Sequence, residues 1–176
     1  MTLVHRRATD SRCRPGAGAA SVPTLGSRGQ GWVALQTAAI GGVVACAVLG
    51  QAWPDVVGPA LRVVGFAAEA AGVVLALAGR VALGSSFSVL PRPRDRASLR
   101  RGGVYAHARH PIYGGVLLLA FGVAFQRSPV ALTPAVALTA IFLLKSACEE
   151  AWLMSRYDDY SDYRIATPRR FVPWLV

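Results

Sequence analysis

Three groups of residues in this 176-residue chain combine reactive side chains with meaningful spacing. The first is Leu99-Arg-Arg-Gly-Gly-Val-Tyr105, followed by Arg109-His-Pro-Ile-Tyr-Gly-Gly115. Gly102 and Gly103 permit a tight loop whose backbone can approach a ligand, and Pro111 is suited to open a helix. A helix N-terminus flanked by Arg109 and His110 favours an anionic or dipolar group. Interfacial anchoring is the other use of Arg109 and Tyr113. The second group is Lys145, Glu149 and Glu150. Adjacent carboxylates cost desolvation if buried, and a cationic or hydroxyl-rich ligand would offset that cost. At a solvated helix end, Lys145 and Glu149 would instead form a surface pair worth about 0.3 to 0.5 kcal/mol. The third group is Tyr157, Tyr160 and Tyr163, interleaved with Asp158, Asp159 and Asp162 and followed by Arg169, Arg170, Phe171, Pro173 and Trp174. This pattern predicts an amphipathic helix lying on a membrane surface, its aromatic edge toward the lipid.

The elements that must position these groups are apolar. Hydrophobic residues make up 53% of the chain and mean hydropathy is +0.41, high for a soluble domain. Trp32 to Ala52 contains no charged residue and is long enough to cross a hydrocarbon core of about 30 Å. Val63–Leu83 is a second span, with Glu69 near its middle and Arg80 near its end. Pro111–Phe125 is a short third and Pro129–Ala147 a fourth, with Ser128 as its N-cap and Pro129 as its first helical residue. The turn between the last two allows only an antiparallel hairpin. The expected fold is therefore an all-α membrane protein of about four transmembrane helices, with a C-terminal helical hairpin and an interfacial C-terminal helix. Small residues Ala38, Gly41, Gly42 and Ala45 permit close packing of the first helix. Glu69 is expected in a structural ion pair with Arg62 or Arg80 on the same helical face.

Charge sets the orientation. Residues 1–30 carry five Arg and one Asp, and residues 84–110 carry six Arg and one Asp. Both stretches flank apolar runs, as the positive-inside rule requires of cytoplasmic segments. The net charge of +10 is thereby assigned to topology and anionic membrane lipids, and nucleic acid is excluded as a partner. Residues 1–30 are expected to be a disordered basic cytoplasmic tail, and 31–176 the membrane domain. Arg6 and Arg7 lie too far from the apolar run for an export signal. Only Lys145 of 19 basic residues is lysine, pointing to a GC-rich bacterial genome and hence to a bacterial cytoplasmic membrane with both termini inside. The three cysteines are scattered and imply no disulfide framework, and His107 with His110 lacks further ligands, so no metal is expected.

In combination, the G-x-Y, R-H-P-x-Y-x-G, E-E-x-x-L, Tyr-rich and R-x-x-P series over about Leu83–Pro173 resembles the isoprenylcysteine carboxyl methyltransferase and phospholipid methyltransferase family of integral membrane enzymes. The resemblance implies an S-adenosylmethionine-dependent methyltransferase acting on a lipophilic small molecule or lipid. It implies cofactor contacts from Ala97, Ser98, Leu99, Arg100, Tyr105, His110, Pro111, Ile112, Tyr113, Glu149 and Glu150, within 97–113 and 145–173. Lys145 falls where the carboxyl methyltransferases of the family place a basic residue against the acceptor carboxylate, and Arg170 is a second candidate for orienting the acceptor. The chain departs from the pattern at Ala97, where His is usual, at Val104, where Pro is common, and at Asp158, where Gly is expected. Lys145 stands in place of Arg and forgoes planar bidentate recognition. An NADPH-dependent sterol or steroid reductase shares a similar R-H-P-x-Y-x-G turn and is the rival reading, with a non-catalytic scaffold as the other.

Overall fold

The structure, a computed structural model, describes residues 12–13, 22–92 and 98–173. Five helices account for most of them: α1 (Gln30–Leu49), α2 (Gly58–Leu83), α3 (Pro111–Arg127), α4 (Leu132–Arg156) and the short α5 (Tyr160–Ala166). The protein is an all-α membrane protein. The helices Gln30–Leu49, Gly58–Ser86 and Pro129–Arg156 are long and apolar enough to cross a bilayer, and Pro111–Arg127 is a shorter apolar helix. At 17 residues α3 rises about 25 Å, less than a full hydrocarbon core. Large apolar side chains on the outer faces of α1 and α2 stand exposed; Val48 is 74% exposed and Val81 78%. Hydrocarbon is the solvent in which such a coat is stable.

The closest helix pair is α2 with α3, and glycine makes it so. Gly58, Gly65, Gly72 and Gly79 recur every seventh residue along α2 and all four are buried. A Cβ on Gly72 would fall 2.7 Å from the carbonyl oxygen of Gly115, and one on Gly65 2.6 Å from that of Gly122. Gly79 meets Pro111 and Ile112 at the other end of the seam. The helices therefore run antiparallel in backbone contact, and the seven-residue period keeps one stripe facing the partner. Glu69 lies against this seam, its Cγ 2.7 Å from where a Cβ on Gly122 would stand. The expected ion pair does not form. Arg80 donates to the Gly84 carbonyl at 3.1 Å and lies 4.6 Å over the Phe87 ring, and among the described residues no ion pair joins Glu69 to Arg62 or Arg80.

The hairpin between α3 and α4 follows the sequence expectation. The Ser128 hydroxyl accepts the Val130 N–H at 3.3 Å, and Pro129 opens a 3-10 turn, Pro129–Ala131, that runs into α4. α1 packs on α4, where Gly42 approaches Pro134, while Gly41 has nothing near its Cα hydrogens. Val43, Leu117, Leu138 and Phe142 from α1, α3 and α4 form the core with Phe171. Within the stretch read as a tail, Arg12–Cys13 and Val22–Pro23 pair antiparallel as β1 and β2, and the Trp32 indole donates to the Pro23 carbonyl at 3.1 Å. Cys148 is disulfide-bonded, which the scattered cysteine positions do not predict.

The tyrosine stripe turns the opposite way from its expected orientation. Tyr160 and Tyr163 are 1% and 6% exposed, and the Tyr163 hydroxyl donates to the Tyr105 carbonyl at 2.7 Å. The aromatic edge of α5 thus packs on the protein, because the turn around Tyr105 offers both an apolar surface and an acceptor for the phenol. The starts of α1 and α3 and the ends of α2 and α4 gather at one arginine-rich end of the bundle, where the reactive groups meet.

Candidate active site at the arginine-rich end

Glu150, 3% exposed near the end of α4, ties this end together. One of its oxygens lies 2.9 Å from Nε of Arg109 and 3.0 Å from Nε2 of His110, with Nε of Arg170 at 3.8 Å. Arg109 extends the network: its Nη1 donates to the carbonyls of Thr167 and Pro168 at 2.6 and 2.7 Å. The backbone does the same, the Arg109 and His110 N–H groups donating to the carbonyls of Arg169 and Arg170 at 3.0 and 2.7 Å. A buried ion pair is stable only when its remaining donors and acceptors are satisfied, and this one is satisfied by the tail. Gly114 allows the tail to lie so close, since a Cβ there would run into the Phe171 carbonyl.

Glu149 faces another way. Its Oε2 accepts the Tyr113 hydroxyl at 2.7 Å, and its other oxygen has no partner among the described residues. The Tyr113 ring is stacked between His110 (5.4 Å between centroids, 4° between planes) and Phe142 (4.6 Å, 15°). Lys145, one turn before Glu149, is 1% exposed. Its Nζ donates to Gln36 Oε1 at 2.5 Å and to the Val89 carbonyl at 3.2 Å, and lies 4.9 Å from the centre of the Tyr113 ring. The surface pair of Lys145 with Glu149 is thereby replaced by a buried lysine and a half-buried carboxylate, each with its own partner.

These side chains surround a cavity of about 260 Å³. Ser98, Arg100, Arg109, His110, Lys145 and Glu149 supply its charged and polar lining, Tyr105, Tyr113, Tyr157, Tyr160 and Tyr163 its aromatic one. Leu83, Phe87, Leu90, Val116, Phe142 and Leu153 make an apolar side. Burial pushes the Tyr105 and Tyr160 phenols well above the ordinary tyrosine value, helped by the charges of Glu149 and Glu150 respectively. Burial also pushes Tyr163 up to about 12, against the opposing pull of Arg109. All three remain protonated donors at neutral pH.

Of the residues singled out in the sequence, Ser98, Leu99, Arg100, Tyr105, His110, Ile112, Tyr113, Lys145 and Glu149 line this one cavity. Glu150 and Arg170 do not; they stand behind the wall and brace it. Pro111 is buried at the start of α3 beneath Gly79 and is also absent from the lining. Ala97 lies outside the described residues. The structure adds Gln36, the Phe87–Leu90 stretch and Phe142 to the lining. Gln36 carried a signal, as the lone amide between Trp32 and Leu49 of an otherwise apolar run. The Val89 carbonyl carried none.

A family model described as phospholipid methyltransferase matches residues 61–160. No curated protein matches the chain significantly.

Proposed function

Because the chain belongs to the phospholipid methyltransferase family of membrane methyltransferases, we propose that it transfers a methyl group from S-adenosylmethionine to a lipophilic acceptor drawn from the bilayer. The observation that carries this reading is the composition of this cavity: a carboxylate with one oxygen unpaired, aromatic side chains and an apolar side share one space. The residues fit the cofactor. The second oxygen of Glu149 suits a ribose hydroxyl, Arg100 and Ser98 suit the carboxylate of an amino-acid moiety, and the aromatic wall that includes Tyr105 and Tyr157 suits a sulfonium.

When bound, the cofactor supplies a methyl group already activated on sulfur. The chain therefore has to position and exclude water more than it has to react. Tyr113 fixes Glu149 through its hydroxyl, and His110 and Phe142 fix the Tyr113 ring by stacking. Glu150 holds the Arg109–His110 turn against the tail, so the ceiling of the cavity keeps its shape. Leu83, Phe87, Val116 and Phe142 would accept the acceptor's hydrocarbon, with Lys145 at its head. Glu150 and Arg170 act in this scheme as positioning residues. The arginine-rich end would face the cytoplasm of a bacterium, its surplus arginines against anionic headgroups.

Calorimetric titration of the purified chain in detergent with S-adenosylhomocysteine and with NADPH tests this. Binding of S-adenosylhomocysteine alone is expected. Binding of NADPH alone would replace methyl transfer by a reductase reading, and binding of neither would leave a non-catalytic scaffold.

A further inference from the structure

Cys148 stands one residue before Glu149 in α4 and does not line the cavity. It is wholly buried in a second apolar cluster, with Val22, Trp32 and Ala151, against which Leu25 packs. Its sulfur is held in a disulfide. Of the chain's three cysteines Cys46 is free, which leaves Cys13 by count, and β1, the strand that contains Cys13, lies along α4 beside β2. Residues 22–30 continue from this tie as a strap that ends on the cavity wall. The backbone of Gly29, at φ 77°, comes so near Pro91 that a Cβ would fall 2.8 Å from the ring, and Nη1 of Arg92 donates to the Ser27 carbonyl at 3.3 Å. Pro91 lines the cavity with Phe87, Val89 and Leu90, and the Val89 carbonyl accepts Lys145 from the inner side. Residues 87–92 form neither helix nor strand, so their place depends on Lys145 at one side and the strap at the other.

We propose that the Cys148 disulfide is a redox switch on the cavity, intact in the binding-competent form and opened by a dithiol of the cytoplasm. The ligand and the cytoplasmic orientation rest on the function proposed above; the mechanical link from Cys148 to Pro91 does not. The cytoplasm keeps thiols reduced, and a disulfide that forms there is characteristically transient and redox-sensing. The exchange needs no further reactant. One thiolate of the dithiol attacks a sulfur of the bond and displaces the other, which takes up a proton; the second thiol then attacks the mixed disulfide and expels the remaining cysteine. The chain gains two electrons and two protons, the dithiol leaves as a cyclic disulfide, and the same couple run backward restores the bond. With the bond open, residues 22–30 keep the contacts of Val22 and Leu25 on α4 but lose their covalent anchor, and the outer support of Pro91 becomes intermittent.

The test compares the full chain in detergent after oxidised glutathione and after dithiothreitol, with the state of Cys148 read by mass spectrometry of alkylated peptides. Affinity for S-adenosylhomocysteine should fall by about tenfold on reduction, the loss expected when the closed wall is populated about one-tenth of the time, and should return on reoxidation. Trypsin should cut after Arg28, an exposed residue of the strap, faster in the reduced chain. Cys13→Ser, which leaves α4 untouched, should behave as the reduced chain does under both treatments, and Cys46→Ala should keep the full response. Equal S-adenosylhomocysteine affinity in the two states, an unchanged rate of cleavage after Arg28, or a bond that dithiothreitol leaves intact in the folded chain would each overturn the switch. Absence of S-adenosylhomocysteine binding in both states would instead overturn the cofactor reading, and the rate of cleavage after Arg28 would then decide on the strap by itself.

Discussion

Arg109 and His110, neighbours in sequence, converge on one oxygen of Glu150 at 2.9 and 3.0 Å, both from nitrogen. That convergence makes Glu150 the structural centre of the site and sets the first prediction. Glu150→Ala strands a guanidinium that is almost wholly buried, which costs about 3 to 5 kcal/mol when a buried pair loses one partner. The melting temperature in detergent should fall sharply, and Glu150→Gln should recover part of the loss by keeping an acceptor for Arg109. A melting temperature unchanged by Glu150→Ala would remove Glu150 from this role.

Glu149 is predicted to separate from its neighbour in the opposite sense. Glu149→Ala should leave the melting temperature near that of the unaltered chain and abolish measurable S-adenosylhomocysteine binding in calorimetry. Tyr113→Phe removes the hydroxyl that orients Glu149 while keeping both ring stacks, so affinity should fall by about tenfold. Unaltered affinity in both variants would contradict the place given to Glu149.

The glycine seam predicts an effect far from the cavity. Gly72→Leu sets a branched side chain against the Gly115 backbone, which cannot give way as a side-chain end could. Overpacking of this kind costs about 1 to 3 kcal/mol or more, and Gly41→Leu, with open space around it, should cost little. Melting temperatures of the two variants in the same detergent provide the comparison.

Alkaline stability follows from the buried phenols. Tyr163 holds its proton more tightly folded than unfolded, with about 12 replacing an ordinary value of 10.0. Its contribution is complete below pH 10 and is lost as pH rises toward 12, because the unfolded chain sheds the proton first. Tyr105 and Tyr160 shift in the same direction. Ultraviolet titration should show these phenols ionising only together with loss of helical signal. Normal ionisation of all five tyrosines with the helices intact would place α5 away from the turn at Tyr105.

The sequence made the four long helices legible because each is built on a long, largely apolar run, and it made the α3–α4 turn legible because Ser128 and Pro129 have strong positional chemistry. Much of the charged and aromatic part of the cavity lining was legible too, through the family-like series from Ser98 to Glu149. What was not legible depended on partners distant in the chain. The heptad glycines of α2 acquire their meaning only with α3 packed against them. The tyrosine stripe had the periodicity of a lipid-facing helix, and only the turn carrying Tyr105 shows that protein takes the place of lipid. Glu149 and Glu150 are adjacent and chemically identical, and nothing short of the fold could show that one faces the cavity while the other is sealed behind it.

The pairing of Arg109 and His110 with the carbonyls of Arg169 and Arg170 also bears on timing. All four long helices precede Arg169 and Arg170 in the chain, so the tail that closes the site is synthesised after every one of them. Until the tail docks, the Arg109 guanidinium lacks the Thr167 and Pro168 carbonyls that make its burial beside Glu150 tolerable, so the ceiling closes last. The nascent protein is thus a set of inserted helices with an unfinished pocket, and competence to bind is acquired in a final docking of the tail.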